Sequence, residues 1–126
     1  MRYPQFVDHI VFRIADLGKT EHFWTALLGS PPHRTPDSVM YQVGDSRLFF
    51  TLCSVNSTEK YDKERIGLNH VAFGVRTLGE LRDVQRQLDS AGIQHSRIRK
   101  DQYGQKDFIW LDDPDGIRVE FYLRPL

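Results

Sequence analysis

The sequence predicts an α+β fold made of two copies of one strand–helix–three-strand unit, and three observations predict it. The stretch Val7-Asp-His-Ile-Val-Phe-Arg-Ile-Ala15 returns 61 positions later as Leu68-Asn-His-Val-Ala-Phe-Gly-Val-Arg76, with His9 on His70 and Phe12 on Phe73. The match continues through Leu17 on Leu78, Gly18 on Gly79 and Leu27 on Leu88. The ends of the two halves also correspond, now at an offset of 71, with Arg47 on Arg118, Phe50 on Phe121 and Leu52 on Leu123. Apolar spacing then runs through the same order of periods in both halves. An internal repeat decides the architecture, because each copy is one supersecondary unit. The growth of the offset from 61 to 71 places about ten extra residues in the middle of the second copy.

In the first copy Val7–Ile14 alternates. Ile10, Phe12 and Ile14 share one face, and His9, Val11 and Arg13 share the other. Asp16 is placed to cap a helix beginning near Lys19, in which Phe23, Trp24, Leu27 and Leu28 recur at helical spacing. Phe23 and Trp24 are read as helix packing rather than as a substrate platform. Gly29 and Ser30-Pro-Pro32 stop that helix. A short strand around His33–Arg34 is followed by strands at Met40–Val43 and Arg47–Cys53, joined by a turn at Gly44-Asp45-Ser46. Asn56–Arg65 is polar, has no periodicity and reads as a linker.

The second copy opens with a strand at Leu68–Val75. Thr77 then starts a helix with Glu80 in capping-box position and apolar residues at Leu78, Leu81, Val84, Leu88 and Ala91. Gly92 ends it. Strands are expected at Ile93–Ile98, Phe108–Leu111 and Ile117–Leu123, with turns at Asp101-Gln-Tyr-Gly104 and Asp112-Asp-Pro-Asp-Gly116. The expected organisation is a single domain over 1–126, with module one at about 5–55, a linker at about 56–65 and module two at about 66–126.

The bulk composition narrows function mainly by exclusion. Lysine plus arginine and aspartate plus glutamate number 17 each among 126 residues, so there is no basic excess to meet nucleic acid. The Arg97-Ile-Arg-Lys100 cluster reads as a solvated strand end. Cys53 is the only cysteine, which rules out an intrachain disulfide and a cysteine zinc cluster. No apolar run approaches the about 20 residues that span a bilayer, and Met1–Phe6 lacks the apolar core of a signal peptide. A cytoplasmic protein without membrane or nucleic-acid partners is the expectation.

Chemistry enters through which residues share a face. In the last strand Val119, Phe121 and Leu123 form the apolar side, and Arg118, Glu120 and Tyr122 the other. Glu120 therefore lies on the non-core face, as both repeated histidines do. If the strands line one curved sheet, His9, His70 and Glu120 converge on its concave side. Two imidazoles and a carboxylate suit one divalent transition metal and leave positions open for substrate or water. A lone histidine on a strand is ordinarily a surface or satisfied interior residue; its recurrence at the matching place of a repeat gives the metal reading its weight. His22, His33 and His95 are assigned no role.

These residues resemble the vicinal oxygen chelate superfamily, which includes glyoxalase I, fosfomycin-resistance enzymes, extradiol dioxygenases and bleomycin-resistance proteins. The resemblance rests on Asp8-His-Ile-Val-Phe-Arg-Ile-Ala-Asp16, His22-Phe-Trp-Thr-Ala-Leu-Leu-Gly29, Leu68-Asn-His-Val-Ala-Phe-Gly-Val75 and, most specifically, Asp113-Pro-Asp-Gly-Ile-Arg-Val-Glu120. It implies two βαβββ modules forming an incomplete curved barrel around one divalent metal (iron, manganese, nickel or zinc) held by His9, His70 and Glu120. It also implies a homodimer whose modules pair either within a chain or across the interface; in the second case His9 meets His70 and Glu120 of the other chain. Val11, Phe49, Thr51, Arg118 and Tyr122 are then the expected substrate-binding residues. Tyr122 is the candidate acid–base group, with Tyr103 behind it.

Two departures shape the expected activity. Where glyoxalase I carries a second carboxylate, the module alignment puts Phe49, which removes the evident base for isomerising a hemithioacetal. Where the fosfomycin enzymes carry a threonine two residues after the first histidine, this chain has Val11. The reading is therefore a metal-dependent enzyme acting on a small molecule with adjacent oxygens, with ring-opening dioxygenation preferred. Its rivals are a metal-free protein that sequesters a small molecule, as bleomycin-resistance proteins do, and a glyoxalase-type lyase or thiol transferase.

Overall fold

A computed structural model describes residues 2–53, 58–103 and 105–126. The chain divides into two compact units, Met1–Glu59 and Lys60–Leu126. Each follows the expected order. The first holds β1 (His9–Ile14), α1 (Leu17–Leu28), β2 (His33–Arg34), β3 (Ser38–Val43) and β4 (Ser46–Leu52). The second holds β5 (His70–Val75), α2 (Leu78–Ser90), β6 (Arg99–Lys100), β7 (Asp107–Asp112) and β8 (Arg118–Leu123). The sheets are ordered β1-β4-β3-β2 and β5-β8-β7-β6, each with its first and last strands parallel and the other pairs antiparallel.

The ladder registers carry the sequence repeat into three dimensions. His9 pairs with Arg47 and Val11 with Phe49 in one module; His70 pairs with Arg118 and Ala72 with Glu120 in the other. The offsets of 61 and 71 thus describe true structural equivalents, and Phe49 stands where module two has Glu120. The extra residues are spread over three connections: 29–32, 35–37 and 44–45 in module one become 91–98, 101–106 and 113–117 in module two.

Both helices begin where their capping residues demand. The Asp16 carboxylate accepts from Lys19 N at 2.9 Å, and the Thr77 hydroxyl from Glu80 N at 3.1 Å. Glu80 accepts from Arg76 N at 3.1 Å, one residue beyond the usual capping-box partner, the N–H of Thr77. The helix after Asp16 starts at Leu17, ahead of the expected Lys19. Gly92, at φ 70°, lets Ile93 N return to Leu88 O at 3.0 Å and closes α2.

Burial follows the alternation. In module one Trp24 and Phe50 are fully buried, and Phe50 stacks on Phe12 with ring centroids 4.8 Å apart and on Trp24 at 4.5 Å. Phe23 and Trp24 are core, as their helical spacing suggested. In module two Leu81 and Leu88 of α2 are buried, as are Ile109, Leu111, Val119 and Phe121 of the sheet. The opposite faces of both sheets are thereby left for the histidines. No helix among the described residues is long and apolar enough to cross a membrane.

Two expectations need correction. Ile93–Ile98 is not a strand, and only Arg99–Lys100 pairs with β7. Ser96 N still donates to Trp110 O at 2.8 Å, but side chains take the other backbone partners that a ladder would use. Trp110 N donates to Ser96 Oγ at 2.9 Å, and the Ser96 carbonyl accepts from His95 Nδ1 at 2.6 Å, while His95 Nε2 faces Asp89 Oδ1 at 2.6 Å. The polar stretch expected as linker is also shorter on its C-terminal side. Tyr61 N donates to Asp115 O at 2.9 Å, Lys60 Nζ to Pro114 O at 2.9 Å, and the Tyr61 hydroxyl to Leu68 O, so residues 60–65 belong to module two. Asn56 and Ser57 of that stretch, and Gly104 of the expected 101–104 turn, lie outside the described residues.

Gly116 holds this segment in place, because its φ is 89° and a Cβ there would stand 3.3 Å from Tyr61 O. Gly116→Ala is expected to cost about 1–2 kcal/mol, from left-handed strain together with displacement of Tyr61. Urea unfolding would measure it, and an unchanged midpoint would contradict the packing described. In module one, hydrogen bonding from the Arg34 guanidinium, with its charge, holds the Glu21 carboxyl below the ordinary 4.5. A carboxylate with a depressed folded-state pKa contributes stability above its unfolded value that is lost as pH falls through the lowered one. The urea midpoint of the wild type should therefore exceed that of Glu21→Gln by a constant margin down to about pH 4.5, and the margin should close only below it.

Candidate metal centre

The site is built from a strand position and the residue before it. On β5, His70 Nε2 stands 3.3 Å from Glu120 Oε1 of β8. The two are diagonal neighbours across the parallel ladder, since His70 pairs with Arg118 and Ala72 with Glu120. The small Ala72 side chain leaves the imidazole room to lean across. The Glu120 side chain is 12% exposed and that of His70 38%. The nearby cation Arg118 is directed elsewhere: its Nε donates to Asp112 Oδ1 at 2.7 Å and its guanidinium lies 4.3 Å from the Trp110 ring centroid. His70 is thus the group that faces the carboxylate.

Hydrogen bonding fixes the histidine's tautomer. Asn69 Nδ2 donates to Lys63 O at 2.8 Å, which settles the orientation of the amide and leaves its Oδ1 toward His70 Nδ1, also at 2.8 Å. The amide oxygen only accepts, so Nδ1 carries the proton. In the neutral ring Nε2 then presents a lone pair directly to a carboxylate oxygen. Two lone pairs face to face need a cation between them, either a proton or a metal ion. Metal–nitrogen and metal–oxygen distances of about 2.0–2.2 Å put adjacent donors about 3 Å apart, which the observed spacing fits. A ligating histidine whose second nitrogen is held by an outer acceptor is the common pattern of such sites.

Module one repeats half of this arrangement. His9 Nδ1 bonds Asp8 Oδ2 at 2.8 Å, so an acceptor side chain precedes and orients each repeated histidine. The partner across the ladder is different: His9 meets the edge of the Phe49 ring, with centroids 5.8 Å apart and planes at 81°. Val11, paired with Phe49 in the ladder, is 55% exposed. Thr51, two residues along β4 on the same face as Phe49, lies 3.4 Å through its hydroxyl from Ser38 Oγ. Among the described residues of module two, no third histidine, cysteine or carboxylate joins His70 and Glu120.

Two cavities adjoin the pair on the same face of the module-two sheet. One, of about 380 Å³, is lined by His70 and Glu120 with Phe108, Asp101, Tyr103 and Tyr122 among its walls. The other, of about 570 Å³, runs along β5 from His70 past Ala72 and Gly74 to Arg76, with Tyr122 and Arg124 opposite. Tyr122 lines both. Its ring stacks on Phe108 at 5.0 Å, and its phenol is pushed up to about 12 by burial first, then by the charges of Glu120 and Asp101. It keeps its proton at neutral pH and so can donate a hydrogen bond on this face.

The structure brings His70, Glu120, Tyr122 and Arg118 together in module two, and His9, Val11 and Phe49 together in module one. Sequence reasoning missed Asn69, Trp110, Phe108 and Asp101. A signal existed for Asn69, because Asp8-His9 and Asn69-His70 both set an acceptor before the histidine. Trp110 could be found only through its ladder pairing with Glu120.

Comparison with known proteins bears on the family and the fold. The family model described as Glyoxalase/Bleomycin resistance protein/Dioxygenase superfamily matches residues 6–121. Metapyrocatechase 2 of Cupriavidus necator is 26% identical over 94% of this chain, which spans only 33% of that protein. A "Probable lactoylglutathione lyase" of Synechocystis sp. is 27% identical over 91% of this chain and 92% of its own length. Among solved structures, a glyoxylase/bleomycin resistance protein/dioxygenase domain from Frankia sp. EAN1pec superposes with a TM-score of 0.79, covering 96% of this chain and 98% of that one at 20% identity. That structural likeness is one of fold.

Because Asn69 holds the His70 ring, Asn69→Ala is expected to lower divalent-metal affinity about 10–100-fold. Asn69→Asp should retain it, since Asp8 does the same for His9. Metal titration of the purified variants would check both, and wild-type affinity in Asn69→Ala would rule out the orienting role.

Proposed function

Because the chain belongs to the glyoxalase/bleomycin resistance protein/dioxygenase superfamily, we propose that it is a divalent-metal enzyme acting on a small molecule with neighbouring oxygens, and that its preferred reaction is ring-opening dioxygenation. The observation that carries this reading is the facing of His70 Nε2 and Glu120 Oε1 at 3.3 Å, with the other imidazole nitrogen already committed to Asn69. His9, the module-one counterpart of His70 with its own orienting acceptor, is the third expected ligand. A divalent ion held by this set supplies a Lewis acid with open positions for two adjacent substrate oxygens.

The chain's own groups divide the remaining work. Glu120 is shielded enough to act as a fixed anionic donor, and Asn69 keeps the His70 lone pair aimed at it. Tyr122 offers a protonated phenol on the same face, suited to donating a hydrogen bond to an oxygen that gains negative charge. Phe108 and Tyr122 give the smaller cavity an aromatic wall that excludes water from one side. Arg118, locked between Asp112 and Trp110, positions the start of β8 and is not free to clamp a substrate.

Preference for dioxygenation over isomerisation rests on Phe49. The ladder register makes it the equivalent of Glu120, so module one contributes a phenyl ring where an isomerase of this family would carry its base. The likeness to Metapyrocatechase 2 supports the same choice. A homodimer is part of the proposal. Mixing inactive His9→Ala and His70→Ala subunits would regain activity only if a site takes residues from both chains.

Elemental analysis of the protein as purified is the direct test, beside His70→Ala and Glu120→Gln. Stoichiometric iron or manganese in the wild type, lost from both variants while their far-ultraviolet spectra stay unchanged, is the expected result. Nickel or zinc would redirect the reading to isomerase or lyase chemistry. No bound metal, and none taken up on titration, would overturn the metal-enzyme proposal in favour of small-molecule sequestration.

A further inference from the structure

The larger cavity has a composition that the metal reading leaves unexplained. Its floor along β5 is Ala72 and Gly74, and its far end is Arg76 and Arg124, with no carboxylate in the lining. The Arg76 guanidinium donates to the Arg124 carbonyl at 3.1 Å, which brings the two residues together at one end. The backbone there is fixed as well, by Arg124 N donating to Val75 O at 2.8 Å. Glu80 stands behind this end, accepting from Arg76 N at 3.1 Å, but it does not line the cavity. The residues that do line it carry two guanidinium groups and no acid, and arginine forks suit a carboxylate.

Gly74 is the second, independent observation. It sits inside a strand, pairs with Tyr122 in the ladder, and has ordinary negative φ. A Cβ built on it meets nothing within 4 Å, so no neighbour among the described residues of module two requires a glycine here. A strand-interior glycine with open space over it and ordinary φ fits a place where a ligand or another backbone approaches closely, and the cavity running over Gly74 favours the ligand. Its position between His70 and Arg76 on the same face lies on the path from the metal pair to the cationic end.

We propose that the Ala72–Gly74 floor seats the body of an elongated anionic small molecule, whose carboxylate is held by Arg76 and Arg124 while its neighbouring oxygens lie at His70 and Glu120. This rests on the reading of His70 and Glu120 as a metal-binding pair. Arg124 lies four positions beyond Glu120, just past the end of β8, a run of about 13 Å at strand rise. The ligand is therefore longer than a bare ring: an aromatic diol with a carboxylate-bearing side chain, rather than catechol itself.

The test uses two probes that differ only at the acid, 3-(3,4-dihydroxyphenyl)propionate and its carboxamide. Binding of each would be titrated calorimetrically to the wild type, Arg124→Gln and Gly74→Val, with metal content measured on the same samples. The wild type should bind the carboxylate roughly tenfold or more tightly than the amide, and Arg124→Gln should erase that preference with metal content unchanged. Gly74→Val should weaken both probes, because its side chain fills the floor. Equal binding of the two probes by metal-loaded wild type would overturn the inference and leave the metal reading standing. A carboxylate preference that survives Arg124→Gln and Gly74→Val would overturn it too. Absence of metal together with an Arg124-dependent preference would support the anion site while sinking the metal reading.

Discussion

The parallel register between the first and last strands of each module is the constraint on which everything else depends. Parallel neighbours require a crossover, and here the helix and two intervening strands provide it. Once His70 is paired with Arg118, Glu120 is forced into the diagonal position on the same face, within reach of the imidazole. The same register in module one brings Phe49 to His9. One backbone solution is thus used twice, and only the side chain at the diagonal position differs.

That difference separates packing from chemistry. A carboxylate that is mostly shielded from water carries a desolvation cost, and an imidazole lone pair facing it adds to the cost unless a cation intervenes. An apolar side chain at the same place avoids both penalties, and Phe49 shows that the fold accepts one. The buried Glu120 is therefore not something the architecture requires. Its place opposite an oriented histidine is what the proposed metal site would account for.

Much of this was legible in the sequence because it followed from periodicity and repetition. The two offsets were the strand registers in disguise, the alternation in Val7–Ile14 separated core from histidine face, and Asp16 and Thr77 announced their helices. What escaped reading had no period. Residues 60–65 are polar without a pattern, yet the Lys63 carbonyl fixes the amide that orients His70. Ile93–Ile98 alternated well enough to suggest a strand, but Ser96 and His95 spend backbone partners on side-chain bonds, and the ladder begins only at Arg99. The fate of Arg118 was equally hidden, since a strand pattern gives its face but not its partners, Asp112 and Trp110.

The asymmetry of the repeat points the same way as the asymmetry at the diagonal position. Module one joins its last three strands through 35–37 and 44–45, connections too short to build walls. Module two uses 101–106 and 113–117. The longer first connection brings Asp101 and Tyr103 to the cavity beside Glu120, and Asp101 contributes to holding the Tyr122 proton. In the second, the Asp113 carboxylate accepts from Asp115 N and Ile117 N and so stiffens the turn that starts β8. Module two is longer at both connections that flank the carboxylate's strand pair, and there the extra residues line a cavity and brace the start of β8.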